Sequence, residues 1–107
     1  MDDALRAVAD PTRRAIMELV RDGERSAGDI ATRFPAMSRP AVSQHLRVLA
    51  DAGLVDVRRD GNRRLYALRP EGLDDAAGFI ERMWSAQLRR LKGVVEADRE
   101  ADASPRR

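Results

Sequence analysis

Apolar residues recur along this chain with two different periods, and the changes of period divide it into elements. Leu5 and Val8 lie three apart in "DALRAVA", the spacing of a short amphipathic helix. "DPTRRAIMELV" restarts the pattern: Asp10 is a good N-cap, Pro11 fits the first helical position, and Ile16, Leu19 and Val20 make the buried stripe. Gly23 closes this second helix. Ser26 followed three residues later by Asp29 resembles a capping box, and a third helix is expected from Ala27 to about Phe34, with Ile30 and Phe34 inward. Pro35 stops it. Ser38 then caps a fourth helix, which tolerates Pro40 in its first turn. Val42, Leu46 and Leu49 share one face of that helix, and Gly53 is suited to end it.

In "LVDVRRDGNRRLYAL" the period falls to two. Val55 and Val57 alternate with charge, as do Tyr66 and Leu68, and Asp60-Gly61 or Gly61-Asn62 supplies the positive φ angles of a tight turn. This predicts a two-stranded hairpin with arginines flanking its tip. Beyond Pro70 the helical period returns: Leu73, Ala77, Ile80, Trp84, Leu88, Leu91 and Val95 form a stripe close to a heptad seam. The tail from 96 to 107 has no apolar periodicity and is expected to fray. The fold expected is mainly α with a small β hairpin, in the order α-α-α-α-β-β-α. It forms a single domain over 1–95.

Charge sharpens this outline. The net charge of the 107 residues is only +2, yet Ser38 to Arg69 holds seven basic and three acidic side chains, a local +4 against −2 for the rest. A basic stripe on a near-neutral protein suggests an anionic partner at one face. A solvated arginine-rich surface is the plainer alternative, and the order of elements decides between them. A helix that follows a short helix and a tight turn, with its apolar face pinned inward, can present its outer face to the DNA major groove. With Val42 at the centre of the buried face, Ser43, Gln44 and Arg47 fall about 100–200° away at 100° per residue. Arg39 lies in the first turn. Arginine pairs with guanine, glutamine with adenine, and serine reaches bases or phosphate. The four hairpin arginines, Arg58, Arg59, Arg63 and Arg64, are placed to hold the DNA backbone or a narrowed minor groove.

"ADPTRRAIMELV", "SRPAVSQHLRVLADAGLV" and "GNRRLYAL" together resemble the winged helix-turn-helix repressors of the ArsR/SmtB family, over roughly Leu5 to Leu91. The resemblance implies a cytoplasmic, homodimeric bacterial transcriptional repressor on double-stranded DNA, binding an imperfect palindromic operator. Its recognition helix would be about 38–50, with Ser38, Arg39, Pro40, Ser43, Gln44 and Arg47 at the DNA. Its wing would be about 55–68 and its dimerisation helix about 71–95. Terminal helices form the dimer interface in such proteins, here through Leu5, Val8, Leu73, Ala77, Ile80, Trp84, Leu88 and Leu91. Metal-sensing members carry cysteines near the recognition helix, or histidine and carboxylate ligands on the last helix. This chain has no cysteine, and no histidine between Leu73 and Val95. No metal and no other cofactor is therefore expected, because zinc prefers N and S donors. A small-molecule inducer is left open.

Other chemistries have little to stand on. The lone histidine, His45, lies at the border of the buried helix face and reads as a packing residue. It has no cysteine partner, and no glycine-rich phosphate loop precedes a helix. Asp74 and Asp75 are adjacent and diverge on a helix. No enzyme activity is expected. Met83 and Trp84 could line a ligand pocket, but packing at the seam is the plainer role, as wing packing is for Tyr66. The acidic N-terminus and the lack of a long apolar run argue against a signal peptide or a membrane span. Two alternatives to a simple repressor remain: a regulator with a small-molecule site at the dimer interface, and a winged-helix module that binds protein.

Overall fold

The computed structural model describes residues 1–103, with side chains as far as Arg99. Helices α1 (Asp2–Val8) and α2 (Pro11–Val20) lead to a two-residue strand β1 (Arg25–Ser26), then α3 (Ala27–Thr32) and α4 (Arg39–Asp51). Strands β2 (Val55–Asp60) and β3 (Arg63–Leu68) follow, then a 3₁₀ turn (Pro70–Leu73) and α5 (Asp74–Ala103). The chain divides into two units, Met1–Ala76 and the remainder of α5 from Ala77.

The first unit is built around the helical stripes read from the sequence. Ile16 and Val20 of α2, Ile30 of α3, and Val42, Leu46 and Leu49 of α4 are buried with Leu54, Val55 and Tyr66 in one cluster. Burial of each of the larger chains contributes about 1.5–3 kcal/mol. Local chemistry sets the ends of the helices. Asp10 accepts from the Thr12 and Arg13 N–H groups (2.8 and 3.1 Å), and Ser38 Oγ accepts from Ala41 N–H (3.2 Å). Gly53 ends α4 at φ 74°. Leu54 N–H returns to the Leu49 carbonyl and Gly53 N–H to that of Ala50, both at 3.0 Å, which is the Schellman pattern.

Several expectations are corrected. The sheet has three strands in the order β1-β3-β2, because Arg25 and Ser26 pair with Tyr66 and Leu65. Two residues are too few to show alternation, and Ser26 also caps α3. The third helix stops at Thr32, and Phe34 packs on the core from the turn beyond it. In α1 the buried residues are Ala4 and Ala7, while Leu5 is exposed and Val8 half-buried. The cause lies in α2. Arg13 donates to the Ala7 and Arg6 carbonyls (2.8 and 3.2 Å), so the end of α1 is held against α2 and small side chains face that contact. Leu73 lies in the 3₁₀ turn and packs on the core, so it is not part of the last helix.

Among the described residues Ala76 is the last that is buried. Within the second unit α5 is not a straight continuation of the stripe: Trp84 leaves helical geometry (φ −125°, ψ 23°) and bends the helix. The helix contains no proline, and nothing in the sequence marks the bend. The expected frayed tail is helical through Ala103, with 104–107 outside the described residues. Alanine, glutamate and arginine favour helix without an apolar face, and Lys92 reaches Glu96 one turn on (3.9 Å). Among the described residues no helix is long and apolar enough to cross a membrane.

Candidate nucleic-acid interface

Packing fixes which face of α4 is free. With Val42, Leu46 and Leu49 buried, Arg39, Pro40, Ser43, Gln44 and Arg47 are all exposed, as the helical phase required. Ser38 is exposed too, its hydroxyl engaged as the cap. His45 is half-buried at the border, and its Nδ1 lies 3.3 Å from an Arg13 guanidinium nitrogen. A guanidinium only donates, so His45 Nδ1 can serve this contact only as the acceptor. His45 thus ties α4 to α2, the structural role its position suggested.

The hairpin arginines divide between the two faces of the sheet. Register sets Arg59 opposite Arg64 and Val57 opposite Tyr66, and residues two apart share a face. Val57, Arg64 and Tyr66 line a cleft of about 240 Å³ whose other wall includes Ser43 and Arg47 of α4. The Arg59–Arg64 face therefore looks onto the outer side of α4. Beside it a depression of about 320 Å³ joins Arg39, Asn62, Arg63 and Arg64 to the start of α3. Two like charges directly opposite on a ladder are destabilising unless an anion intervenes. Among the described residues neither Arg59 nor Arg64 makes an ion pair, and neither do Arg39 and Arg47.

Arg58 and Arg63 differ from these four. Arg58 stands opposite Leu65, on the other face, and donates two hydrogen bonds to Glu24, at 2.7 and 2.8 Å. The hydrogen bonds from Arg58 hold the Glu24 carboxyl below its ordinary value, and the same contacts raise the Arg58 guanidinium above its own. Arg63 meets Asp60 at 3.1 Å near the tip. That tip is a two-residue loop, Gly61–Asn62, with a positive φ only at Gly61 (63°), the II′ arrangement. Glu24 had no signal in the sequence, since it is an isolated carboxylate 34 positions from its partner.

Of the residues expected at a dimer contact, Leu5, Ala77, Ile80, Trp84, Leu88 and Leu91 are exposed, and Val8 and Leu73 are half-buried against the core. Among the described residues no group of three or more histidine, aspartate or glutamate side chains is placed to hold a metal ion.

Comparison with known proteins agrees with this geometry. A helix-turn-helix domain model matches residues 8–58. The HTH-type transcriptional regulator Rv2034 of Mycobacterium tuberculosis is 42% identical over 97 residues, covering 91% of this chain and 90% of its own. The transcriptional repressor SdpR of Bacillus subtilis is 36% identical over 80 residues, covering 75% and 88%. A crystal structure described as a possible transcriptional regulator for arsenical resistance superposes with a TM-score of 0.69 at 42% identity, covering 96% of this chain and 98% of that one. The homodimeric winged helix-turn-helix domain Mb0332 of Mycobacterium bovis, described as a possible ArsR-family regulator, gives 0.61 at 28% identity over 78% and 77%. Through its capped and outward-facing fourth helix, its hairpin wing and these relatives, the chain belongs to the ArsR family of winged helix-turn-helix, DNA-binding transcriptional regulators.

Proposed function

We propose that this regulator is a repressor that acts in the cytoplasm as a homodimer on an imperfect palindromic operator. The exposed half of α4 enters the major groove, where Arg39 and Gln44 read base edges. Ser43 and Arg47 support them from the same face, and the N-terminal turn at Ser38 and Pro40 meets the backbone. Arg59 and Arg64 hold phosphates from the wing, while Arg58 and Arg63 stay with their carboxylate partners Glu24 and Asp60. The observation that carries this reading is the groove itself. One wall is the free face of α4 and the other carries Arg64, with Arg59 directly opposite it on the ladder, and an anion between the walls would relieve the repulsion of that pair.

The homodimer is supported by the homodimeric Mycobacterium bovis relative and by α5, where Ile80, Trp84, Leu88 and Leu91 remain 38–61% exposed. An apolar stripe of that size on a helix calls for a covering surface, and a second copy of α5 supplies it. Two α4 helices related by a twofold axis would meet half-sites about 34–36 Å apart. The test is selection of bound duplexes from a random library, followed by footprinting on the gene's own promoter. A palindrome with half-sites one helical turn apart is expected. Recovery of no preferred sequence would defeat the reading.

A further inference from the structure

Two arginines in the same hairpin, adjacent in sequence, face opposite ways and meet opposite fates. Arg59 looks onto the α4 groove without a carboxylate partner among the described residues, and Arg58 donates to Glu24 from Nε and Nη2. The strand order makes that second contact unusual. β2 is one edge of the sheet and β1 the other, with β3 between them. Glu24 immediately precedes β1, so the pair reaches across the middle strand, two strand spacings or roughly 10 Å.

Both ends of this bridge are tied to different parts of the fold. On the Glu24 side, the next residue, Arg25, donates to the Leu19 carbonyl (2.8 Å) and to Asp29 (3.0 Å), which fixes the strand to α2 and α3. On the Arg58 side, the outer half of β2 has only β3 as a ladder partner, and β3 is anchored to β1 through two residues. Without the bridge the outer hairpin is free to twist and bend about its root. Doubly hydrogen-bonded guanidinium–carboxylate pairs fix direction as well as distance.

We propose that Glu24 and Arg58 form a latch that sets the angle of the wing over the recognition helix, so that Arg58 serves DNA binding as a positioning residue and not as a phosphate contact. An acidic side chain thereby supports the binding of a polyanion. The inference rests on the reading of the wing given above, and it reverses the sign expected for Glu24. If Arg58 were one more phosphate ligand, Glu24 would be a competitor, and its removal would tighten binding.

The experiment uses the full chain and its selected operator, with Glu24→Ala, Arg58→Ala, the double variant and the exchange Glu24→Arg with Arg58→Glu. Affinity is measured across a salt series. Both single variants are expected to weaken operator binding at least about fivefold, the double variant no more than either single one, and the exchange to recover part of the loss. Arg58→Ala should leave the salt slope unchanged, which a lost phosphate contact could not do. Tighter binding by Glu24→Ala, or a shallower slope for Arg58→Ala, would overturn the proposal. A second readout needs no DNA: the Arg58 Nε–H NMR signal of the free protein should be shifted and slow to exchange, and both features should vanish in Glu24→Ala. If the wild-type chain bound no duplex, the wing reading and the proposal would fall together, and this signal would show whether the pair itself exists.

Discussion

Salt is the perturbation that weighs the groove most directly. Arg39, Arg47, Arg59 and Arg64 are exposed and without ion pairs among the described residues, while Arg58 and Arg63 each face a carboxylate. A dimer thus brings eight unpaired cations, in the groove and on the wing, to neutralise DNA charge. At about 0.9 counterions released per neutralised phosphate, log affinity should fall against log salt with a slope near −7. Between about 50 and 200 mM salt that is a loss of roughly 10⁴-fold. If the two paired arginines of each protomer were recruited as well, the slope would approach about −11 and the loss would exceed roughly 10⁶-fold. Fluorescence anisotropy of a labelled operator duplex reads the slope, and Arg64→Ala should reduce its steepness by about two units per dimer. A wild-type slope shallower than about −4 would refute the claim that these four arginines lie in the DNA interface. A slope near −11 would refute the exclusion of Arg58 and Arg63.

Gly72→Ala should lower thermal stability, because a Cβ there would collide with the Gly53 carbonyl oxygen and crowd Leu54 Cα (3.0 Å), beside the bond from Arg69 N–H to the Leu54 carbonyl (2.9 Å). Backbone cannot rotate aside as a side chain can, so a cost of about 1–3 kcal/mol is expected, read as a melting point lower by roughly 5–15 °C; an unchanged melting point would count against it. Asp10 carries a pH-dependent part of stability. The Arg13 N–H chiefly, with the Thr12 N–H and the Arg13 charge, lowers its carboxyl pKa, so its contribution is complete above the ordinary aspartate value and is lost as pH falls through the lowered one. In urea unfolding the gap between wild type and Asp10→Asn should therefore hold above the ordinary aspartate pKa of about 3.9 and narrow as pH falls further, and a gap that stays constant down to about pH 2 would contradict it. Trp84→Asp with Leu88→Asp should give a monomer in sedimentation at micromolar concentration and abolish operator binding; an intact dimer would move the interface away from α5.

What was legible in the sequence was local. Asp10, Ser38, Gly53 and Gly61 each act within a few residues of their own position, so a cap, a helix end or a turn could be read directly. The outward set on α4 followed from the phase fixed by Val42, Leu46 and Leu49. Contacts between distant polar residues left no such trace. Glu24 and Arg58 are individually ordinary surface charges, and only the pairing of β1 with β3 brings them within reach of each other. Hydrophobicity also misled where helices approach closely: Ala4 and Ala7 took the buried face of α1 because Arg13 holds the end of that helix against α2. Leu73 kept the stripe's spacing but fell in the 3₁₀ turn that Pro70 opens, where it packs half-buried against the core.

Sequence reading by α4 is the central claim, and Gln44→Ala tests it most directly. Gln44 is exposed on the free face of the helix and lies outside the core, so its loss should leave the fold intact. The measurement is the affinity of wild type and Gln44→Ala for the operator and for a scrambled duplex at one salt concentration. The operator should lose about 1–3 kcal/mol of binding and the scrambled duplex almost nothing, with preference flattened at one base pair in each half-site. Equal weakening on both duplexes, or no change on either, would mean that DNA does not lie along this face of α4.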